Sequence, residues 1–187
     1  IIAFVNAITN STHANYVKPE DRIITFDNDG TLWGEQPAYF QLFFAMDRIK
    51  TMAADHPEWQ KDKILKAAID GDMKTMASEG ERGLLKVVMV THTGMTTDEF
   101  AQIVSDWIAT AKHPVTGKLI KNTIYQPMLE VVNYLKANQC KVFIVSGGGI
   151  EFMRPWTQEV YGIPAERVVG SSAKTKFEIR DGKAVIV

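Results

Sequence analysis

The stretch IITFDNDGT, residues 23–31, decides the fold class of this chain. Its first four residues are β-branched or aromatic, which predicts a short strand buried in a parallel sheet. The strand ends abruptly at Asp27 and Asp29, so two carboxylates lie at its carboxyl end. Carboxylates placed this closely repel each other and lose solvation. A divalent cation relieves that conflict, and Mg²⁺, which prefers carboxylate oxygens and keeps several waters, is the cation we expect.

A second unusual turn, Ser146-Gly147-Gly148-Gly149, follows the apolar run 142–145, and a helical pattern covers residues 150–161. Strand, glycine-rich turn and helix together form an arrangement that binds phosphate, because the first N–H groups of a helix attract anions. Parallel sheets bind their ligands at the carboxyl ends of the strands. We therefore expect this turn and residues 27–31 to meet at one site.

Helical periodicity fills most of the chain between the two turns, from residue 37 to about residue 112. Strands separated by helices predict an α/β fold, with a Rossmann-like parallel sheet as its core. The helices would form a cap inserted between the two strands that precede these turns. Near the end of the sequence, two β-prone runs flank Arg180-Asp181-Gly182-Lys183, a pattern that predicts a hairpin with its turn at these residues. We assign residues 1–34 and 114–187 to the core and residues 35–113 to the cap.

Composition excludes several classes of protein. The chain has 187 residues, of which 45% are hydrophobic, so it is long enough to bury a core. Its 21 basic and 22 acidic residues nearly balance, which gives no broad electrostatic reason to bind nucleic acid or an anionic membrane. No apolar run approaches the roughly 20 residues that span a bilayer. We expect a soluble protein, cytoplasmic or exported after removal of a signal peptide, and the oligomeric state stays open.

The two turns together resemble known catalytic motifs. Residues 27–31 with their strand are similar to the first motif of the haloacid dehalogenase-like hydrolase superfamily, and residues 142–147 are similar to its second. The helical stretch between them lies where that family has its first cap. The resemblance covers about residues 20–187, and the layout is most similar to the phosphoserine phosphatase-like branch.

This resemblance implies a magnesium-dependent phosphatase. Asp27 would be the nucleophile that forms an aspartyl-phosphate, and Asp29 would protonate the leaving oxygen and then activate water. The metal ligands would be the side chain of Asp27 and the backbone carbonyl of Asp29. Ser146 and the amide of Gly147 would hold the phosphate of a small phosphorylated substrate.

Residues 32–37 directly follow the first motif and are candidates for contact with the substrate. Family members selective for phosphoserine resemble this chain in having a glutamate shortly after the first motif, which makes Glu35 a candidate together with Trp33. The alternative is a solvated Glu35 and a packed Trp33.

Two further motifs of the family are not evident, a lysine that neutralises the phosphate and a later acidic motif of Gly-Asp type. Lys174, Lys176 and Lys183 are candidates for the lysine, although a lysine beside a hairpin more often lies at a solvated edge. We therefore expect the native chain to continue beyond Val187 and the C-terminal part of the site to lie there.

Three alternatives stay open at this stage. A phosphotransferase or phosphomutase shares the aspartyl-phosphate but passes it to a hydroxyl group. A non-catalytic module binds phosphate and magnesium without turnover. An ordinary Asx turn after a strand also accounts for the composition of residues 27–31 taken alone.

Overall fold

The computed structural model describes residues 1–187, with the exception of the side chains of Ala77 and Glu81. The chain forms two compact units, residues 1–36 with 108–172 and residues 37–107 with 173–187. The α-helices in chain order are α1 Ile2–Thr9, α2 Phe40–Met52, α3 Lys63–Asp70, α4 Met73–Ser78, α5 Gly80–His92, α6 Thr97–Thr110, α7 Gln126–Ala137 and α8 Ile150–Tyr161. The strands are β1 Ile23–Phe26, β2 Lys141–Gly149, β3 Val168–Ser171, β4 Phe177–Arg180 and β5 Lys183–Ile186.

The first unit contains a parallel sheet of three strands in the order β1-β2-β3. Phe26 of β1 pairs with Ile144 of β2, and Ile144 pairs with Val168 of β3. The chain therefore leaves β1 beside the point where β2 enters its serine and glycine segment. The predicted α/β fold with a parallel core sheet is confirmed.

The two faces of this sheet differ in burial. On one face Val142, Ile144 and Val168 are buried, and α7 and α8 pack against these strands. On the other face Ile23, Val145 and Val169 are 58%, 47% and 49% exposed. The prediction that residues 23–26 form a buried strand is therefore wrong. In the part of the chain that the structure describes, β1 is at the edge of the sheet. Alternate side chains of a strand point to opposite faces, so half of its residues meet the exposed face.

β2 is longer than predicted. We expected the strand to end at Val145 and a turn to follow, but β2 continues to Gly149, which pairs with Ser171 after an irregularity in the register. The strands approach closely there, because a Cβ on Gly170 would lie 2.5 Å from the carbonyl oxygen of Gly148. The predicted helix over residues 150–161 is confirmed and begins directly after the strand.

The second unit consists of α2 to α5, most of α6, and a hairpin formed by β4 and β5. Its apolar core includes Ala45 and Ile49 from α2, Ala68 from α3 and Val87 from α5, all at most 1% exposed. Asp62 caps α3, accepting hydrogen bonds from two backbone N–H groups of its first turn.

The hairpin is antiparallel and turns at Asp181-Gly182, as predicted. We had assigned residues 173–187 to the core, whereas in the structure they group with the helical unit. The function of the helical unit as a cap stays a prediction. Within the residues that the structure describes, none of the helices combines the length and the apolar character needed to cross a bilayer.

Candidate active site

The loop after β1 closes on itself through backbone hydrogen bonds. The carbonyl oxygen of Asn28 accepts three of them, from the N–H groups of Thr31, Leu32 and Trp33 at 3.1, 2.8 and 3.4 Å. The N–H of Gly30 donates to the carbonyl of Trp33 at 3.0 Å. Gly30 has a φ of +70°, a conformation that suits glycine far better than other residues. The backbone that carries the two aspartates is therefore fixed by local geometry.

The two aspartates lie in different environments. Asp27 is exposed, and its Oδ1 accepts the backbone N–H of Asn28 at 2.7 Å. Asp29 is partly buried, and its Oδ1 accepts the indole N–H of Trp33 at 2.7 Å. Burial raises the pKa of Asp29; the indole hydrogen bond opposes this rise, and the charges of Asp27 and Glu35 add to it. The arrangement thus offers one accessible carboxylate and one that is more easily protonated.

Trp33 is packed rather than available to a substrate. Its side chain is fully buried and stacks on Trp156 of α8, with ring centroids 4.3 Å apart and planes inclined by 24°. The rings of Phe152 and Tyr161 meet Trp156 edge to face. Of the two alternatives left open for Trp33, the structure therefore has the packed one.

Asn28, between the two aspartates, is buried and bound from α8. Its Oδ1 accepts the hydroxyl of Tyr161 at 3.1 Å. Asn28, Tyr161 and Trp156 were not predicted from the sequence as parts of this site. The position of Asn28 inside the motif was a usable signal, but nothing in the sequence connects it to a tyrosine 133 residues away.

Glu35 folds back over the motif. A Cβ built on Gly30 would lie 2.7 to 2.9 Å from the carboxylate atoms of Glu35, so this carboxylate occupies the space above the glycine. The negative charges of Asp27 and Glu35 both raise the pKa of Asp29, so these three acidic side chains interact electrostatically. Glu35 is partly exposed, and its contact with a substrate stays a prediction.

Ser146 and Gly147 lie in the last part of β2, on the strand next to β1. The hydroxyl oxygen of Ser146 accepts the N–H of Gly148 at 3.2 Å. The carbonyl of Gly147 accepts the hydroxyl of Ser171 at 2.9 Å, which ties this segment to β3. Because Phe26 pairs with Ile144 in parallel strands, both candidate phosphate-binding residues come after the same end of this pairing as Asp27 does.

The three candidate lysines, Lys174, Lys176 and Lys183, are exposed and belong to the second unit. Lys176 lies 3.2 Å from a carboxylate oxygen of Glu178 on the same hairpin. An exposed pair of this kind is typical of a solvated strand edge.

The donor atoms near the first motif suit a hard cation. Among the side chains that the structure describes, no three histidine, cysteine, aspartate or glutamate residues form a group placed to hold a metal ion. Mg²⁺ does not need such a group, because one or two carboxylates, substrate phosphate and water complete its shell. The exposed carboxylate of Asp27 and the backbone oxygens of its loop are oxygen donors of this type.

Most of the chain matches a known protein family. Residues 22–179 match the family model of the haloacid dehalogenase-like hydrolases. A conserved functionally unknown protein from Anaerococcus prevotii DSM 20548 has a similar solved structure, with a TM-score of 0.58 and 12% identity over 98% of this chain and 69% of that one. This similarity concerns the fold alone.

A phosphoserine phosphohydrolase-like protein from Francisella tularensis subsp. tularensis SCHU S4 also matches, at 17% identity and a TM-score of 0.38 over 86% of this chain. The chain spans only 60% of the length of that protein. No curated protein matched the chain. Because the family model covers most of the sequence, and does so from β1 through the second motif, the chain belongs to the haloacid dehalogenase-like hydrolase family.

Proposed function

We propose that this protein is a magnesium-dependent phosphomonoester hydrolase that acts through an aspartyl-phosphate on Asp27. The observation that supports this most is the contrast between the two aspartates of one loop. Asp27 is exposed, while burial raises the pKa of Asp29. An accessible carboxylate and a partly buried one with a raised pKa are suited to different tasks, the first as nucleophile and the second as acid.

The reaction has two steps. A carboxylate oxygen of Asp27 attacks phosphorus, the bond from phosphorus to the ester oxygen breaks, and the protonated Asp29 gives its proton to the departing oxygen. Water then attacks the phosphorus of the aspartyl-phosphate and loses a proton to Asp29. The bond between phosphorus and Asp27 breaks, which releases inorganic phosphate and restores both side chains.

The segment at the end of β2 supplies neutral donors for the phosphate. The hydroxyl of Ser146 and the backbone N–H of Gly147 suit the oxygens of a phosphoryl group, and the glycines allow close approach. Mg²⁺, held by Asp27 and the backbone carbonyl of Asp29, would screen the negative charge of phosphate and carboxylates.

The substrate is a small phosphorylated molecule, and Glu35 favours one that carries an amine. Its carboxylate lies over Gly30, beside the motif that holds the nucleophile. A negative side chain there attracts an ammonium group. This makes a phosphorylated amino acid such as phosphoserine a reasonable first substrate to test.

Magnesium-dependent hydrolysis of an aryl phosphate tests the proposal. It should be measured for the 187-residue chain, for a version extended past Val187, and for Asp27→Asn in each. We expect turnover in at least one of the two wild-type chains and its loss in the matching Asp27→Asn variant. Asp21→Asn, which changes an exposed aspartate before β1, should keep full activity. Magnesium binding without turnover in both wild-type chains would favour the non-catalytic phosphate-binding module. Transfer of phosphate to an added alcohol would favour the phosphotransferase.

A further inference from the structure

The indole N–H of Trp33 contacts the proposed acid. It donates to Oδ1 of Asp29 at 2.7 Å, at the short end of the usual range for a nitrogen donor. The side chain of Trp33 is fully buried, so this hydrogen bond is shielded from water. The contact therefore fixes the indole and the carboxylate relative to each other.

Both the backbone and the ring of Trp33 are held in place. Its backbone N–H and carbonyl are bound to Asn28 and Gly30 in the closed loop. Its ring is stacked on Trp156, which is itself fully buried. A carboxylate bound by a side chain with so little freedom has few orientations left to it.

The support for Trp33 comes from the helix that follows the candidate phosphate segment. Trp156 and Tyr161 both belong to α8, which begins directly after Gly149. Tyr161 binds Asn28, and Trp156 stacks on Trp33, so one helix contacts both the residue between the two aspartates and the residue that binds Asp29. α8 thus connects the end of β2 to the residues that hold Asp29 in its orientation.

We propose that Trp33 is a positioning residue for Asp29: its indole N–H holds one carboxylate oxygen, so that the other oxygen faces the ester oxygen that must be protonated. The inference rests on the proposed function, because it assumes that Asp29 is the acid. In this role Trp33 acts through the carboxylate that it orients.

The experiment removes the N–H with two replacements, of which the second also keeps the shape of the ring. Trp33 is replaced by phenylalanine and, separately, by benzothienylalanine, whose sulfur takes the place of the indole N–H. The chain offers a matched control, since the indole of Trp107 donates to Oδ2 of the exposed Asp47 at 2.9 Å in the helical unit. Trp107→Phe removes the same kind of bond at a place without a proposed catalytic carboxylate.

The readout is kcat/KM for two substrates that differ in their need for an acid. An alkyl phosphate releases an alkoxide that requires a proton, whereas p-nitrophenyl phosphate releases a stable phenolate. We expect both Trp33 replacements to lower kcat/KM about 100-fold for the alkyl phosphate and less than about threefold for the aryl phosphate. Inhibition by inorganic phosphate should be unchanged, and Trp107→Phe should leave both substrates as in wild type.

A purely structural role gives a different pattern. Equal losses for the two substrates, or full retention of alkyl phosphate turnover with benzothienylalanine, would overturn the inference and leave the proposed function intact. A wild type without Asp27-dependent turnover would instead contradict the proposed function, and the positioning role would fail with it.

Discussion

The hydroxyl of Tyr161, at the end of α8, donates a 3.1 Å hydrogen bond to Oδ1 of Asn28, the residue between the two aspartates. Both side chains are buried, at 2% and 1% exposure. Burial, together with the charge of Asp29, raises the pKa of Tyr161 well above its ordinary value, so the hydroxyl remains a donor at neutral pH. This bond joins the motif loop after β1 to the helix after β2.

Removal of this hydroxyl should weaken the folded state. Tyr161→Phe leaves the amide oxygen of Asn28 buried without its donor, so we expect the free energy of unfolding to fall by about 1–3 kcal/mol. Urea unfolding measures this change. Tyr125→Phe, at a tyrosine that is 41% exposed, is the control and should change stability by less than about 0.5 kcal/mol. Equal changes in the two variants would show that the buried bond contributes nothing.

An alanine at position 30 should disturb Glu35. Gly30→Ala places a methyl group within 3 Å of the Glu35 carboxylate and strains a φ of +70°. Gly117→Ala is a matched control, because its φ is +67° and no atom lies within 4 Å of the added methyl. Both variants should lose about 1 kcal/mol of stability, since the end of Glu35 can move aside.

The two glycine variants should differ in catalysis. Only Gly30→Ala is expected to raise KM for phosphoserine, because only it displaces the carboxylate proposed to attract the amine. Glu35→Gln should raise the same KM without the loss of stability that comes from backbone strain. An unchanged KM in Gly30→Ala and Glu35→Gln would argue against contact between Glu35 and the substrate.

Ser146→Ala should weaken the binding of phosphate. The hydroxyl that accepts the N–H of Gly148 is also the proposed donor to a phosphate oxygen. A hydrogen bond to a charged group is worth about 1.5–3 kcal/mol, so the inhibition constant for inorganic phosphate should rise at least about 10-fold. Ser105→Ala, which removes a hydroxyl bound to the backbone of α6, should have no such effect. Unchanged inhibition in Ser146→Ala would remove this residue from the site.

His92 makes the helical unit sensitive to acid. Burial, with a further contribution from the charge of Arg48, lowers the pKa of the imidazole to about 4 from an ordinary value of 6.5. The ring is held by the hydroxyl of Thr91 at 2.8 Å and the amide of Gln41 at 3.3 Å. Between pH 6.5 and about 4 the unfolded chain takes up a proton on His92 that the folded protein does not.

The free energy of unfolding should therefore fall as the pH drops through this window, by about 3 kcal/mol in total from this one group. The full contribution is present above pH 6.5 and is lost near pH 4. Urea unfolding at about pH 7 and pH 4.5 should show a smaller pH effect in His92→Gln than in wild type. Val87→Ala, which keeps the imidazole and removes buried packing, should lower stability equally at both pH values. A pH effect as large in His92→Gln as in wild type would contradict this account.

Some of the structure follows from local chemistry. Residues 27–31 predicted a loop with two carboxylates, and the strand before them, the helix after Gly149 and the hairpin turn at Asp181-Gly182 were predicted correctly. These features depend on β propensity, turn residues and short-range periodicity, which a single sequence contains.

Other features depend on contacts between distant parts of the chain. The apolar run 23–26 gave no indication that β1 is an edge strand with an exposed face. Tyr161 meets Asn28 only because α8 packs against the sheet, and no spacing rule connects them. The bond from Trp33 to Asp29 required a loop closed around one carbonyl oxygen, which residue types alone do not specify.

Trapping of the aspartyl-phosphate tests the central claim most directly. The wild-type protein is mixed with Mg²⁺ and a phosphorylated substrate, quenched in acid, digested and examined by mass spectrometry. The account predicts one phosphoryl group on the peptide that contains Asp27, its removal by hydroxylamine, and its absence in Asp27→Asn. Substrate turnover without a phosphorylated Asp27, or with phosphate on another residue, would contradict it.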